Sequence, residues 1–378
     1  MATRVTRKNI NLESNLVLTI SGQLGLVSQL DFFNKNVAGS NLENYFLIKK
    51  GEFAYNRSYS KGYPLGAIKQ LELYDYGILS TLYILFQVKE STILPLFLKS
   101  YYCTNKWHSS ISKLVTEGAR NHGLLNISPS DFFKSNINLP MSLDEQKLIS
   151  RTLELLDTYI TLHQRKLENL KRLEELYLLA VFPHNNEKAP KIRFKYFQDD
   201  WQLCKFKNLL KEFSNKSTVE NEYTLLSSTN NGMEKRTGRV SGKSNKGYKI
   251  IEHGDLVLSP QNLWLGNINI NSLSTGLVSP SYKTFKVVGI QTKFIEPQLK
   301  SKKMLYEYNL ASIQGASVVR KNLDLGAFNE ITIRVPSDDE QYKIAQLLLN
   351  LNRTITCLEN KVDSLILLKR QYLDLLFI

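Results

Sequence analysis

Apolar residues recur in two long stretches of the chain at steps that alternate between four and three. The first stretch runs Ile149, Leu153, Leu156, Ile160, His163, Leu167, Leu170 and then Tyr177; the second runs Ile344, Leu348, Leu351, Ile355, Leu358, Val362, Leu365 and then Tyr372. This spacing keeps one apolar stripe on one side of an α-helix and is the heptad seam of a coiled coil. Each seam meets a charge, at Glu174 and at Lys369, where Leu173 and Leu368 are expected to take over. His163 on the first seam reads as a polar residue tolerated at the interface rather than a ligand. Residues 145–182 align on 340–377 without a gap at an offset of 195, with thirteen of 38 positions identical. The identities include Glu145/Glu340, Gln146/Gln341, Thr161/Thr356, Lys166/Lys361, Tyr177/Tyr372 and Phe182/Phe377, which leucine richness alone would not repeat. The chain therefore contains a duplication.

Each copy begins with a helix-start signature, Pro140 then Ser142-Leu143-Asp144-Glu145, and Pro336 then Ser337-Asp338-Asp339-Glu340. Serine with glutamate three positions on predicts a capping box, in which each side chain satisfies the other's backbone N–H. A helix of this length would extend about 57 Å at 1.5 Å per residue. Such a rod with one apolar stripe needs a partner, and its own duplicate is the nearest. A globular segment separates the two helices, so antiparallel pairing and an approximate two-fold relation between the halves are predicted.

The duplication continues outside the helices. Asn44-Tyr45 with Ile48, Gly51, Glu52 and Phe53 matches Gly247-Tyr248 with Ile251, Gly254, Asp255 and Leu256, and Gly118-Ala119 matches Gly315-Ala316. Short apolar runs at Leu16 to Ile20, Tyr45 to Ile48, Ser80 to Phe86, Asp255 to Leu258 and Thr284 to Val288 read as strands between Gly/Asn/Ser turns. The fold class is α/β: two mixed α/β domains joined by two long helices in an antiparallel coiled coil. The segments are residues 1–140, a first globular domain; 141–185, the first helix; 186–336, a second globular domain; and 337–378, the second helix. Residues 190–207 have no counterpart, because Met1 aligns with about position 208.

Charge sharpens this division. The net charge is +14. Residues 1–144 carry 15 Lys+Arg against 10 Asp+Glu and residues 190–335 carry 22 against 12, whereas 145–189 carry 7 against 7 and 336–378 carry 5 against 6. Basic globular segments attract polyanions, and near-neutral helices suit contact with protein. Cys103, Cys204 and Cys357 have no paired spacing, which argues against a disulfide framework or zinc site and for a reducing cytoplasm. Arg4, Arg7 and Lys8 precede a mildly apolar stretch that Asn11, Glu13, Ser14 and Asn15 interrupt, unlike a secretory signal. The apolar runs at Ile78 to Val88 and Ile93 to Leu98 are too short to span a bilayer.

Catalytic signatures are missing from the sequence: it has no P-loop, no Gly-x-Gly-x-x-Gly, no Asn-Pro-Pro-aromatic methyltransferase motif and no His/Cys pair at ligand spacing. Pro336 to Lys343 has some likeness to a nuclease carboxylate–lysine pattern, but its duplicate at Pro140 to Lys147 makes helix capping the better reading. The expectation is a protein without a catalytic site, a metal or a cofactor of its own.

The order of a globular domain, a helix beginning Asp144-Glu145-Gln146-Lys147, the lead-in Ile192-Arg193-Phe194-x-x-Phe197-x-x-x-Trp201, a second domain and a helix beginning Asp339-Glu340-Gln341 resembles the specificity (S) subunit of a Type I restriction–modification system. The resemblance covers nearly the whole chain. It departs at the N-terminus, where the family's first domain has its own Arg-Phe…Trp lead-in and this sequence has none. The resemblance implies two target recognition domains that each read half of a split DNA sequence, with helices that set the spacing. It also implies docking of two modification (adenine methyltransferase) subunits and of restriction subunits, with S-adenosylmethionine and ATP on those partners. Duplex DNA is then the ligand.

Residues suited to DNA contact lie in three basic loops. Arg57, Tyr59, Lys61 and Tyr63 interleave charge and aromatic rings; Arg120 and Asn121 follow Gly118-Ala119; and Arg236, Arg239, Lys243 and Lys246 form a Gly/Ser-rich basic loop followed by Gln261 and Asn262. Arg, Asn and Gln can read base edges, and Lys pairs with phosphates. Another class stays open: a coiled-coil scaffold whose basic domains bind acidic proteins without any role for DNA.

Overall fold

A computed structural model of the chain describes residues 1–35, 39, 41–60, 62–115, 124–184, 187–236, 244–317 and 320–377. The chain divides into two units, the first comprising Met1–Gln164 with Asn360–Ile378 and the second Arg165–Glu359.

In the first unit the strands are β1 Ala2–Val5, β2 Leu18–Ser21, β3 Gly25–Ser28, β4 Phe46–Lys49, β5 Phe53–Asn56, β6 Ala67–Gln70, β7 Tyr76–Leu79 and β8 Ile84–Val88. Its helices are α1 Gln29–Phe33, α2 Pro95–Tyr101, α3 His108–Ser112, α4 Pro129–Phe132 and the long α5 Leu143–Ala180, which continues into the second unit. One sheet has the order β1-β8-β5-β6, and β4 pairs with β7 beside the β2-β3 hairpin. The continuous apolar runs are strands covered on both faces. Side chains alternate across a strand, so Phe53 and Tyr55 of β5 and Ile84 and Phe86 of β8 enter one core cluster. Ala54 and Leu85 between them enter another.

The second unit holds β9 Gln202–Lys205, α6 Phe206–Leu209, β10 Leu210–Phe213, β11 Thr224–Ser228, β12 Met233–Lys235, β13 Lys249–Ile251, β14 Leu256–Leu258, β15 Ile268–Ile270, β16 Gly276–Val278 and β17 Lys283–Val287. After these come α7 Thr292–Leu299, α8 Lys302–Leu310, β18 Ser312–Ser317, β19 Arg320–Leu323, α9 Leu325–Glu330, β20 Thr332–Val335 and α10 Asp338–Leu376. The sheet order β10-β17-β14-β15 repeats β1-β8-β5-β6 strand for strand. Alternation again splits β14, Leu256 and Leu258 into one cluster and Val257 into the other. Each strand expected from the sequence is present within a few residues, and β1 and β10 begin at Ala2 and Leu210, in keeping with the alignment of Met1 near position 208. The matched turns agree as well. Gly51 and Gly254 both have φ +90°, where a side chain would be strained, and the carboxylates of Glu52 and Asp255 accept from the N–H of Lys49 and Glu252. Gly118-Ala119 lies outside the described residues.

Within each unit the two long helices run antiparallel. In the first, Ile149 and Leu153 share a cluster with Phe377, Leu373 and Leu376, and Lys369 pairs with Asp157 at 2.5 Å. In the second, Tyr177 and Val181 share a cluster with Ile344, Ala345 and Leu348, and Lys171 pairs with Glu359 at 2.6 Å. Ile160, Ile355, Leu358 and Val362 are buried, while Leu156, His163, Leu167, Leu170, Leu351 and Leu365 are half-buried along the stripes. His163 stacks on Tyr159. Two features of the stripes differ from expectation. Tyr372 is exposed, because the stripe at that end passes to Leu373 and Leu376. Leu173 and Leu368 do not take over from the charges: both are exposed, whereas Glu174 and Lys369 stay partly covered. Lys369 has Asp157 as its counter-ion, and burial, reinforced by Glu175, raises the Glu174 pKa.

The capping boxes also differ. Ser142 Oγ accepts from the Glu145 N–H at 3.4 Å, but Glu145 is exposed and does not reach back. Glu340 is 1% exposed and is committed elsewhere. The next residue performs the duplicated task. Gln146 accepts from the Leu94 N–H at 2.9 Å and donates to the Thr92 and Pro140 carbonyls; Gln341 accepts from the Gln291 N–H at 2.9 Å and donates to the Pro336 carbonyl. Leu94 and Gln291 are the N-cap residues of α2 and α7, so one buried amide fastens each helix pair. Gln146→Ala would strand these buried backbone groups, and a loss of about 2–3 kcal/mol from the first unit is expected. Trp107 is the tryptophan of that unit, and urea melts followed by its fluorescence, with Trp201 and Trp264 replaced by Phe, measure the loss.

Candidate nucleic-acid interface

In the first unit the Tyr55-to-Tyr63 loop leaves the end of β5. Tyr55 is fully buried, stacked on Phe132 at 5.0 Å, and donates to the Leu65 carbonyl at 2.8 Å. Arg57 donates from Nε to the Leu82 carbonyl at 3.0 Å and from Nη1 to the Ile127 carbonyl at 2.9 Å. Burial, the largest influence on it, lowers the Arg57 pKa. Its guanidinium is thus a brace between loops with the rest of its fork available. Tyr59 is 62% exposed. The Tyr63 ring lies where a Cβ on Gly22 would be, 2.1 Å from Cζ, so any larger residue there would force the ring to shift. That ring lines a cleft of about 520 Å³ with Lys69, His108 and Arg370. Lys61, Arg120 and Asn121 lie outside the described residues, yet Leu124, just after the last two, bridges to Ser58 and its neighbour Leu125 donates to the Arg57 carbonyl. The structure therefore brings the flank of one candidate loop onto the other.

In the second unit β11 and β12 form a hairpin whose far strand leads into the basic loop. Arg236 donates its backbone N–H to Leu225, and Lys246 is exposed beyond the loop. Arg239 and Lys243 lie outside the described residues. Gln261 is exposed, whereas Asn262 is half-buried and its carbonyl accepts from Leu265 and Asn267. Trp264 is half-buried with Lys321 5.3 Å from its ring centroid.

Sequence reasoning missed what holds this hairpin. Ser228 donates to Asn267 Oδ1 at 2.6 Å; Asn267 Nδ2 donates to the Ser228 carbonyl; and Asn269 Nδ2 donates to Ser228 Oγ and to the Thr229 carbonyl. The network is buried and each of its side chains is hydrogen-bonded, and such networks rigidify a core. It fastens the hairpin turn to the segment carrying Gln261 and Asn262. The signal was present as Asn267-Ile268-Asn269-Ile270-Asn271, polar residues at period two on one strand face. Two lysines nearby are partly desolvated: burial lowers the pKa of Lys249, which donates to the Tyr282 carbonyl, and of Lys300, which donates to the Asn230 carbonyl.

The lead-in with no counterpart is also anchored in the second unit. Arg193 Nε donates to Glu340 Oε1 at 2.7 Å and Nη2 to Oε2 at 2.8 Å, while Trp201 Nε1 donates to Oε2 at 3.1 Å. The bond to Glu340 raises the Arg193 pKa. β9, next in the chain, pairs with β20, and Trp201 packs on Phe294.

Among the described residues no group of three or more His, Cys, Asp or Glu is placed to hold a metal ion, and no helix is long and apolar enough to cross a membrane. Together these features define a duplicated α/β chain with two long helices paired antiparallel. No family model matches the sequence, and no curated protein matches it. Solved structures do. The S subunit of a Type-I restriction–modification system from M. genitalium is similar over 100% of this chain and 96% of its own, with a TM-score of 0.54 and 16% identity. The HsdS subunit from Thermoanaerobacter tengcongensis is similar over 100% and 93%, with 0.51 and 16%. A chain from a structure on complex assembly and conformational transition of the type I R-M system is similar over 100% and 94%, with 0.53 and 14%. The chain has the fold of Type I S subunits.

Proposed function

We propose that the chain is a non-catalytic DNA-specificity subunit of a Type I restriction–modification system. Each unit's loops read one part of a bipartite duplex target, and the long helices dock modification and restriction subunits, which carry S-adenosylmethionine and ATP. The assembly works in the cytoplasm. The observation that carries this reading is the likeness to S subunits over the whole chain, together with a charge division that puts the basic excess in the globular segments and near-neutrality in the helices. The division suits phosphate contact by the former and protein contact by the latter.

The test is binding of the full chain to duplex DNA over a salt series, alone and with a methyltransferase subunit. A specificity subunit gives a log K that falls linearly with log salt and tightens on one bipartite sequence when the partner is present. Partner binding with no dependence on DNA would overturn this reading in favour of the scaffold.

A further inference from the structure

In the second unit the last turns of α5, the strands β9 and β20 and the turn between α7 and α8 enclose a cleft of about 720 Å³. Sites for drug-sized ligands span about 300–1,000 Å³. The cleft has a counterpart in the duplicate. The cleft of about 520 Å³ in the first unit is lined by Arg370, Leu373 and Asp374, which the offset of 195 places on Glu175, Leu178 and Leu179. Counting from Leu94 and Gln291, Thr104 and Trp107 of the first cleft fall on Ser301 and Met304 of the second. The duplicated fold therefore builds a cleft at the same joint twice, and the two copies differ in what lines it.

The second cleft has two chemically distinct sides. Leu178, Leu179, Phe182, Leu203 and Ile333 come from the end of α5 and the two strands, whereas Lys300, Lys302 and Lys303 come from the α7–α8 turn. Leu179 and Leu203 are 54% and 61% exposed, so apolar area on the first side meets water. Among the described lining residues Glu175 is the one carboxylate. Lys300 donates to the Asn230 carbonyl, and Arg334, also in the lining, donates to the Trp201 carbonyl; both acceptors are neutral. Burial lowers the Lys300 pKa with Glu296 acting against it, so an anion beside this ammonium restores part of what desolvation costs it.

We infer that this cleft binds an amphipathic organic anion, one carboxylate head on an aliphatic chain, with the head at Lys300, Lys302 and Lys303 and the chain against Leu179, Phe182 and Leu203. Charge complementarity selects the head. Burial of the exposed leucines selects the chain. Duplex DNA meets only half of this chemistry: a phosphate satisfies the lysines, but the sugar–phosphate backbone offers nothing to the apolar side. The first-unit cleft, where Arg370 and Asp374 replace Glu175 and Leu179, lacks the same division and is the internal control.

The probe is dodecanoate, held below its micelle concentration and titrated onto the full protein by calorimetry and by NMR of ¹³C-methyl methionine. Saturable binding is expected, with a shift of the Met304 methyl signal and none of Met233, which lies elsewhere in the same unit. Dodecyltrimethylammonium, the same chain under the opposite charge, should bind far more weakly. Lys302→Gln with Lys303→Gln should weaken dodecanoate binding roughly tenfold, the range for two exposed charge pairs. Leu179→Glu, which sets a carboxylate against the chain, should weaken it at least as much. These three positions are exposed, so their substitution leaves the unit folded, which circular dichroism verifies. Arg370→Gln in the first-unit cleft should leave the affinity unchanged. No step involves DNA, so the result is independent of the specificity reading. Absence of saturable binding up to millimolar dodecanoate would overturn the inference in favour of an acidic protein segment as the occupant. A Met304 signal that stays in place, or equal affinity for the cationic amphiphile or in the double lysine variant, would overturn it as well.

Discussion

Arg193→Ala is expected to lower the stability of the second unit by about 3–5 kcal/mol, the range for removing one partner of a buried ion pair. Glu340 is 1% exposed, and the Arg193 side chain is 15% exposed. Alanine would leave the carboxylate in the interior with only the indole N–H of Trp201 as donor. Arg193 also donates to the Asp199 carbonyl at 2.7 Å, so the variant loosens the loop leading to Trp201 as well. Replacing both partners by apolar residues, as in Arg193→Met with Glu340→Leu, should recover most of the loss, since the desolvation cost goes with the charges. Chemical denaturation of the single and double variants as a cycle reads the coupling. Glu145→Ala, the same position in the first unit, should change stability by no more than about 0.5 kcal/mol, as for an ordinary surface site.

The second large effect concerns the basic loop of the second unit. If Arg236, Arg239 and Lys243 each neutralise a phosphate, changing all three to Gln removes three counterion releases, and the slope of log K against log salt becomes shallower by about 2.7. Affinity should fall at every salt concentration, most at the lowest. Arg165→Gln with Lys166→Gln, exposed on α5, serves as the control and should leave the slope unchanged. A slope unaltered in the triple variant would assign phosphate contact to another surface.

The sequence made the helices legible for a physical reason. A stripe at heptad spacing over 38 residues has one geometric solution, and its repetition at a fixed offset names the partner. Strands were legible where apolar runs met Gly turns, and the Gly51 and Gly254 turns were legible because two copies share a backbone that only glycine adopts without strain. Glu340 was misread because serine three residues before it satisfies a local rule, whereas its true partner lies 147 positions away. Tyr372 was misread because the helix stripe drifts at its end toward Leu373 and Leu376, a packing effect that periodicity does not carry. Arg57 could be seen as a basic loop residue, but its two carbonyl partners come from segments 25 and 70 residues away. The DNA-facing candidates on 237–243 and 116–123 rest on residue chemistry alone.

The first unit joins two segments, Met1–Gln164 and Asn360–Ile378, that are made far apart in time. Phe377 is 2% exposed against Phe97 and Tyr101 in a cluster that also holds Phe53 and Phe86. At 5–20 residues per second, roughly 15–60 s of synthesis separates Phe97 from Phe377. Throughout that interval the nascent domain carries an aromatic pocket awaiting its plug, and loss of Phe377 is felt among residues made some 280 positions earlier.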